Sequence, residues 1–357
     1  MATIYDVAKA AGVSPKTVSR VLNGDAPVGE RTRKVVEEAI TQLGYVPSSA
    51  ARTMRSNRSG LIGLITGALS HQLEPAEPAG LPELYIVQGI QQVLINSDKT
   101  LMIADTGGES ARVRELVRTF VQHRAEALIY VADYHRQVEL DTQAASCPVV
   151  LVNCFDDAGT LSIVPDDEQC QFELVSDLIQ SGHKRIAYLT LNTNTMATRL
   201  RSAGYRRALK ESGLPYDPQL ELVASGTDDD VLLDQAVKTA IAMTNPPSVF
   251  CCGNDEMAMR VYGLLRTNGL RIPEDISVAG FDNYRAIAER LYPPLTTVEL
   301  PYFAMGQSAA NTVLKLISGD SEKPTGSEKI AGPVHWRSSV TALNSVTKFR
   351  SNQRRRN

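Results

Sequence analysis

Three short, closely spaced helical segments occupy residues 1–46 and constrain this chain more than any other feature. Thr3, followed three residues later by Asp6, forms a capping-box pattern at the start of the first helix. Ser14 is a suitable N-cap for the second, and Pro15 suits its first position, where the missing N–H costs nothing. A third helix is predicted over residues 30–43. This arrangement predicts a helix-turn-helix unit around one small core.

The second helix carries a polar face that suits DNA. Val18, Val21 and Leu22 are predicted to face inward, so the opposite side is free to enter the major groove. Lysine and arginine match the O6 and N7 acceptors of guanine, while hydroxyls and the helix N-terminus suit phosphates. The outward residues are Pro15, Lys16, Thr17, Ser19 and Arg20. The alternative is a solvated polar face on a generic three-helix unit.

The charge distribution divides the chain in the same way. Residues 1–58 contain nine Lys/Arg and five Asp/Glu, whereas residues 59–347 contain 23 and 35. A basic head on an acidic body favours docking to DNA through the head. The basic tail, residues 348–357, holds five Lys/Arg and no acid. Contact with phosphates and a disordered, solubilising end both explain that tail.

These motifs resemble the lac-repressor/gal-repressor (LacI/GalR) family of bacterial transcription regulators. The matching segments are residues 5–23, 44–47, 182–188, 201–205, 254–258, 272–278, 280–283 and 295–298. The resemblance implies a helix-turn-helix DNA-binding domain (1–46), a hinge (47–58) and an effector-binding and dimerisation domain (59–347). It also implies that Tyr5, Ser14, Asn23 and Ala51 contact DNA together with the outward face of the second helix.

The hinge has the composition of a conditional helix. Residues 48–55 are small and helix-permissive but too few to form a stable helix alone. Such a segment can fold when DNA and a second subunit hold it. Met54 stands where the family usually has a leucine that wedges into the minor groove, and methionine can serve as such a wedge. The alternative is a plain linker.

Beyond the hinge the chain alternates strands with helices, which predicts a two-lobed α/β body built on two doubly wound parallel sheets. The resemblance implies that this body is similar to a periplasmic binding protein. Strands are predicted at 61–65, 101–104, 127–131, 149–152, 186–190, 220–223, 249–252 and 276–280. Crossover helices are predicted at 84–95, 111–121 and 136–145. The resemblance implies three crossings between lobes, with the first lobe at about 59–162 and 294–322 and the second at about 163–293 and 323–347.

The cleft between the lobes is the expected ligand site, because open α/β sheets bind ligands at the carboxyl ends of their strands. The resemblance assigns Arg201 to gripping ligand hydroxyls or a carboxylate, and Asp282 to accepting hydrogen bonds from sugar hydroxyls. Asn153, Asp166 and Asn254 follow strand ends and align with further polar contacts. An arginine opposite a carboxylate suits a polyol. The alternative for Arg201 and Asp282 is a structural ion pair.

Two departures from the family pattern bear on the ligand. Residues 226–230 lack the aromatic that many members stack on a sugar or base, and the proline-rich loop 70–82 forms an unusual polar rim. The prediction is a mono- or disaccharide or glycoside that acts as an inducer. A purine effector and a co-repressor remain the alternatives.

Other chemistry finds no support in the sequence. The five cysteines show no CxxC spacing, His71 has no second ligand at metal spacing, and nucleotide-binding and nucleophile-elbow motifs are missing. We therefore expect no enzyme activity, catalytic residue, cofactor or metal. Without a signal peptide or an apolar run of membrane length, the expected location is the cytoplasm, with reduced thiols.

Dimerisation on a palindromic DNA operator is the expected assembly. One small head contacts too few bases for useful specificity, and symmetric half-sites need a two-fold partner. A second hypothesis from another class is a sugar-binding protein that shares only the two-lobed body. The head and the missing export signal argue against it.

Overall fold

The computed structural model of the protein describes residues 2–24, 28–46, 58–67, 82–140, 144–225, 229–319 and 326–343. The N-terminal head consists of helices α1 (Ile4–Ala11), α2 (Pro15–Asn23) and α3 (Glu30–Leu43). Both halves of the Thr3–Asp6 capping box form, and Ser14 caps α2 with Pro15 in the first turn. The helix-turn-helix prediction is confirmed.

The core of the head draws on all three helices. Val7, Val18 and Val36, one from each helix, are fully buried, and Val21 packs with them. This core orients α2, because the valine stripe must face inward.

The first lobe is built on a six-stranded sheet. Its strands are β1 (Leu61–Thr66), β2 (Thr100–Asp105), β3 (Ala127–Gln137), β4 (Val149–Phe155), β5 (Ser162–Pro165) and β11 (Ser327–Ile330). The order across the sheet is β11-β5-β4-β3-β1-β2, and each pairing is parallel. Its helices are α4 (Pro82–Leu94), α5 (Val113–Gln122, preceded by a 3₁₀ turn at Ser110–Arg112) and α11 (Tyr302–Ser318).

The second lobe repeats the design. Its strands are β6 (Ile186–Thr190), β7 (Glu221–Val223), β8 (Val249–Cys252), β9 (Ser277–Asp282), β10 (Thr296–Glu299) and β12 (Val334–His335). The order is β12-β10-β9-β8-β6-β7, with only β12 antiparallel among these strands. The helices are α6 (Asp167–Gln180), α7 (Met196–Glu211), α8 (Asp229–Ile241), α9 (Asp255–Thr267) and α10 (Arg285–Ala288), with a 3₁₀ turn at Pro218–Leu220.

The predicted helix over residues 136–145 is wrong. Strand β3 instead continues to Gln137, and after a register shift Arg136 and Gln137 pair with Cys154 and Phe155 of β4. The described residues that follow, up to β4, contain no helix. Pairing with β4 therefore overrides the local helical pattern, and it carries His135 to the end of the sheet.

The lobe boundaries expected from the resemblance are wrong in three places. Residues 163–165 belong to the first sheet because β5 pairs with β4, and residues 327–330 join it because β11 pairs with β5. Residues 296–299 belong to the second sheet because β10 pairs with β9. The chain changes sheet three times, after β5, after β10 and between β11 and β12.

One glycine sets the close approach of two helices in the second lobe. A Cβ on Gly204 of α7 would overlap the carbonyl oxygen of Glu168 in α6. Only a residue without a side chain allows α7 to lie this near α6. The contact places Arg201, one turn before Gly204, beside the start of α6.

The remaining sequence expectations concern thiols and membranes. Cys251 and Cys252 of β8 lie in different cores on opposite faces of the second sheet, as strand alternation requires. Across the described residues, no helix is both long and apolar enough to traverse a bilayer. The proline-rich loop lies almost wholly outside the described residues, as does His71.

Candidate functional site

The outer face of α2 is the first candidate site. Because Val18 and Val21 are buried, Lys16 and Arg20 are exposed on the opposite side of the helix. Tyr5 of α1 is 72% exposed, an unusual state for a tyrosine in a small domain. These side chains are accessible to a groove without any change in the head.

The hydroxyl residues of α2 have a local task as well. Ser14 Oγ accepts a hydrogen bond from the Thr17 backbone N–H at 3.1 Å, and its oxygen lies 2.9 Å from Thr17 Oγ1. Pro15, Thr17 and Ser19 are partly buried. Of the other predicted DNA contacts, Ala51 and Met54 lie outside the described residues, as does the side chain of Asn23.

The second candidate site is a charged cluster at the carboxyl ends of the strands of the second lobe. Arg201 of α7 is only 4% exposed. Its Nε donates to Asp167 Oδ1 at 2.7 Å and its Nη1 donates to the Gly253 carbonyl at 2.6 Å. The guanidinium carbon lies 3.7 Å from the centroid of the Phe281 ring, a cation–π geometry. Arg201 is therefore held on three sides.

The predicted Arg201–Asp282 pair is thus only part of the arrangement. Asp282 Oδ1 lies 4.0 Å from Arg201 Nη1, whereas the close partner is the fully buried Asp167. Burial raises the pKa of Asp167, but Arg201 and His135 more than offset this and hold it below its ordinary value. Asp282 is the outer carboxylate, with a side chain 30% exposed.

His135 connects this cluster to the first lobe. Its Nδ1 lies 2.8 Å from Asp167 Oδ2, so one carboxylate bridges a histidine of β3 and an arginine of α7. The bridge is buried, because His135 is only 7% exposed. Any change in the position of the lobes must therefore alter the surroundings of Arg201.

Two predicted site residues have backbone conformations that point to function. Asn153, within β4, and Asp282, the last residue of β9, have φ angles of +60° and +116°. Side chains rarely adopt this region, at a cost of about 1–3 kcal/mol each. Such strain is typical of ligand sites. Among the described residues, Arg124 and Asn283 also have positive φ angles, so each lobe has two such residues.

Burial and neighbouring acids make the end of the second sheet a high-pKa region. Burial raises the pKa of Asp282 well above its ordinary value against the pull of Arg201, and the neighbouring Asp255 adds to the rise. Burial also raises the pKa of Asp255 to about 7. Asp255 accepts hydrogen bonds from Thr297 Oγ1 at 2.6 Å and the Tyr284 N–H at 2.7 Å. It orients the loop that follows Asp282.

The other predicted effector residues have mainly local partners. Asp166 caps α6 by accepting from the Gln169 N–H at 3.3 Å, and Asn254 caps α9 by accepting from the Met257 N–H at 2.8 Å. Asn153 Nδ2 donates to the Ala132 carbonyl at 3.1 Å. No contact joins these three residues to Arg201 within the described residues.

Some buried polar atoms have no hydrogen-bond partner within the described part of the protein. Asn153 Oδ1, Tyr188 OH and Thr190 Oγ1 are buried and have no hydrogen-bond partner among the described residues. Asn153 lies near the carboxyl end of β4 and Thr190 ends β6. Buried polar groups without partners are costly, so each is a candidate for a hydrogen bond from a ligand.

Sequence reasoning missed His135, Asp167 and Thr190. For Asp167 a signal existed, because three acids, Asp166, Asp167 and Glu168, follow β5 in succession and the first is a natural cap, which leaves the others for another role. Thr190 ends a predicted strand, the position at which ligands bind. His135 gave no signal, because it lies between the predicted strand at 127–131 and the predicted helix at 136–145, where no element was expected.

The sequence predicted no metal site, with His71 as the residue considered. In the described parts of the chain, no three His, Cys, Asp or Glu side chains come together as a metal site. The carboxylates of the cluster are instead arranged around Arg201 and backbone N–H groups.

Comparison with known proteins places both sites in one family. Residues 3–48 match the family model for bacterial regulatory proteins of the lacI family, and residues 175–340 match that for a periplasmic binding protein-like domain. The transcriptional repressor PurR of Vibrio atlanticus is 32% identical over 327 residues, 90% of this chain and 94% of that protein.

Solved structures agree over the whole chain. The lac repressor dimer bound to operator and the anti-inducer ONPF matches with a TM-score of 0.76 and 25% identity, covering 96% of this chain and 99% of that one. The transcriptional regulator CelR in complex with cellobiose matches with a TM-score of 0.62 and 26% identity, covering 95% and 100%. The chain therefore belongs to the lacI family of bacterial regulatory proteins and is a DNA-binding transcriptional repressor.

Proposed function

We propose that this repressor binds a palindromic operator as a homodimer in the bacterial cytoplasm, and that a small molecule in the cleft sets its affinity for DNA. The observation that carries the proposal is the buried His135–Asp167–Arg201 bridge. It joins the two lobes, and Asp282 lies 4.0 Å from its Arg201. A ligand bound there contacts both lobes, so it stabilises one relative position of the lobes over the others.

At the DNA end, Lys16 and Arg20 supply base contacts through the major groove. Tyr5, Ser14, Pro15, Thr17, Ser19 and Asn23 position the head on the backbone and flanking bases. In the hinge, Ala51 and Met54 contact the minor groove. A coupling free energy of about 1–3 kcal/mol between cleft and DNA corresponds to a change in affinity of roughly 5- to 150-fold.

The effector that we propose is a small saccharide acting as an inducer. Arg201 and Asp282 offer a donor and an acceptor, and the open atoms of Asn153 and Thr190 add two further hydrogen-bonding positions. The complex of CelR with cellobiose shows a sugar on a related protein. A purine acting as a co-repressor is the second candidate, and the PurR repressors among the relatives are the observation that favours it.

Dimer formation is proposed through the edge of the first lobe. Strand β2 lies at the edge of its sheet, and its Met102 and Ile103 are 45% and 39% exposed. Leu84 and Tyr85 of the neighbouring α4 are exposed as well. An apolar edge strand exposed to solvent tends to associate with another chain, and a second subunit related by a two-fold axis would cover it. The related lac repressor structure contains a dimer bound to operator.

The effector proposal is tested by titrating an operator, obtained by selection, with and without each saccharide or purine that stabilises the protein in a thermal-shift screen. The wild type should change its affinity for the operator at least 5-fold with the true effector. Asp282→Asn should bind DNA as the wild type does when no effector is present but should lose most of the response. Asp275→Asn, at an acid of the same lobe whose bonds are to Arg271, is the matched control. A normal response in Asp282→Asn contradicts the assignment of the cleft.

The dimer proposal has its own test by sedimentation equilibrium. Met102→Lys places a charge on the exposed edge strand and should weaken self-association at least tenfold. Val223→Lys provides the control, because Val223 is 47% exposed on β7, the edge strand of the second sheet. If Val223→Lys dissociates the dimer and Met102→Lys does not, the interface lies elsewhere.

A further inference from the structure

We propose that a cavity of about 310 Å³ at the junction of the lobes is a second ligand site, which takes a small carboxylic acid with an apolar body. Its walls come from both lobes. Among the described residues that line it, none is one of the five predicted effector residues. The site adjoins the cleft that holds Arg201 and Asp282, because His135 of the bridge between the lobes lines it.

The body of the ligand is indicated by the apolar walls. Phe155 and Val164 contribute from the first lobe, and Met196 and Leu200 contribute from α7 of the second. A saccharide would lose hydrogen bonds to water against such walls. The volume equals that of roughly ten water molecules, which is enough for a single ring with a short chain.

The charge of the ligand is indicated by Lys329. This lysine of β11 lines the solvent-exposed rim of the cavity, and it has no ion-pair or hydrogen-bond partner in the part of the chain that the structure describes. The acid on the same wall, Asp156, is already engaged, since its two oxygens accept from Thr160 N at 2.9 Å and Thr160 Oγ1 at 2.6 Å. An unpaired ammonium beside apolar walls favours a carboxylate head group.

A second polar group of the wall is almost completely buried. His135 lines the cavity, and only its Nδ1 is engaged, with Asp167. Within the described residues its Nε2 has no hydrogen-bond partner. This nitrogen can share a hydrogen bond with a carboxyl group, as donor or acceptor according to the protonation of the ring. His135 and Lys329 together provide two contacts for one head group.

The position of the cavity gives the ligand a role in regulation. His135 is one end of the bridge between the lobes, and Leu200 lies on α7, the helix that carries Arg201 at the other end. The ligand therefore contacts His135 itself and the helix that holds Arg201. The ligand binds the protein when the lobes are in the observed arrangement, and it stabilises that arrangement by mass action. The protein would then respond to two chemically different small molecules.

The test uses the full-length protein labelled with ¹³C at its methionine methyl groups and free of DNA. The Met196 signal is assigned with Met196→Leu, and 3-phenylpropionate is titrated against its neutral amide, 3-phenylpropanamide. The acid should shift the Met196 signal saturably and bind at least tenfold more tightly than the amide. Lys329→Gln should weaken the acid at least tenfold, whereas Lys315→Gln, at an exposed lysine of α11 in the same lobe, should leave it unchanged.

Three results overturn the proposal. They are an unshifted Met196 signal with benzoate, 3-phenylpropionate and 4-phenylbutyrate up to their solubility limits, equal binding of acid and amide, and unchanged binding in Lys329→Gln. Leu200→Trp, which fills the cavity, should abolish the shift by an independent route. Because no DNA or effector is present, failure here leaves the proposed function of the cleft untouched.

Discussion

The head and the body of this repressor are specified by different kinds of interaction. In the head, the decisive contacts join residues three positions apart, as in Thr3 with Asp6 and Ser14 with Thr17. In the body, Arg201 meets Asp167 and Gly253 across 34 and 52 positions of sequence. Local capping can be inferred from neighbouring residues, whereas a buried charge cluster exists only after the sheets have assembled.

Removal of the buried carboxylate should have the largest effect. Asp167→Ala leaves Arg201 buried without its close partner, and the expected loss is about 3–5 kcal/mol in the free energy of unfolding. Asp166→Ala removes only a helix cap and should cost about 1 kcal/mol. Urea denaturation of both variants measures the difference. If the two variants lose the same free energy of unfolding, the bridge contributes no more to stability than the helix cap does.

The buried Asp255 should make the stability of the body depend on pH. Its pKa of about 7 in the folded protein lies above the ordinary 3.8, so the folded state holds the extra proton between these values. The free energy of unfolding should therefore fall as pH rises from about 4 to about 7. Asp255→Asn cannot titrate at this position, so its curve should fall less, by a few kcal/mol, while the raised pKa of Asp282 contributes to the fall in both proteins. Parallel curves in urea denaturation from pH 4.5 to 8 would contradict the assignment.

The close approach of α6 and α7 can be broken by a single methyl group. Gly204→Ala should destabilise the protein by about 1–3 kcal/mol, because the Cβ meets the backbone of α6. Gly263→Ala offers a matched control in α9, where a Cβ meets nothing within 4 Å. That substitution should stabilise by up to about 1 kcal/mol through helix propensity. Thermal unfolding of the two variants and the wild type measures these changes. If Gly204→Ala leaves the unfolding temperature unchanged, the packing argument is wrong.

The head can be probed without altering its fold. Arg20 is exposed, so Arg20→Ala should leave the stability of the head unchanged while reducing discrimination at one base pair by about 1–3 kcal/mol. Anisotropy titrations at fixed salt, with an operator and its single-base variants, measure this. A uniform loss over all sequences would indicate a phosphate contact.

Loss of the α2 cap should have the smallest effect. Ser14→Ala removes the acceptor for the Thr17 N–H and should cost about 1 kcal/mol of stability in the head. Ser14→Gly places a residue that is tolerated at helix N-caps, so it should cost only a few tenths of a kcal/mol of stability. Hydrogen exchange of the α2 amides compares them, and equal protection in all three proteins would show that the cap is dispensable.

Much of the fold followed from patterns that act over short distances. The apolar runs predicted the strands around 61–65 and 249–252, and the caps predicted α1 and α2. The helix predicted over 136–145 failed because β3 gains more by pairing with β4 through Arg136 and Gln137. The predicted lobe boundaries were wrong for the same reason, because strand pairing determines the sheet to which β5, β10 and β11 belong.

The candidate site could be predicted only in part. Arg201 Nη1 lies 4.0 Å from Asp282 Oδ1, yet the close partner of Arg201 is Asp167. Adjacent acids such as Asp166 and Asp167 look alike in sequence, and only the fold separates the cap from the buried bridge. His135 enters the site from the other lobe, through a contact that no local pattern records.

The central claim is that paired heads hold symmetric DNA while the body controls how tightly they do so. Its most direct test is selection of bound fragments from a pool of random oligonucleotides by the purified full-length protein. The account predicts enrichment of one palindrome with two inverted half-sites, lost when Arg20 and Lys16 are both replaced by alanine. Enrichment of no common sequence, or of a single asymmetric site, would contradict it.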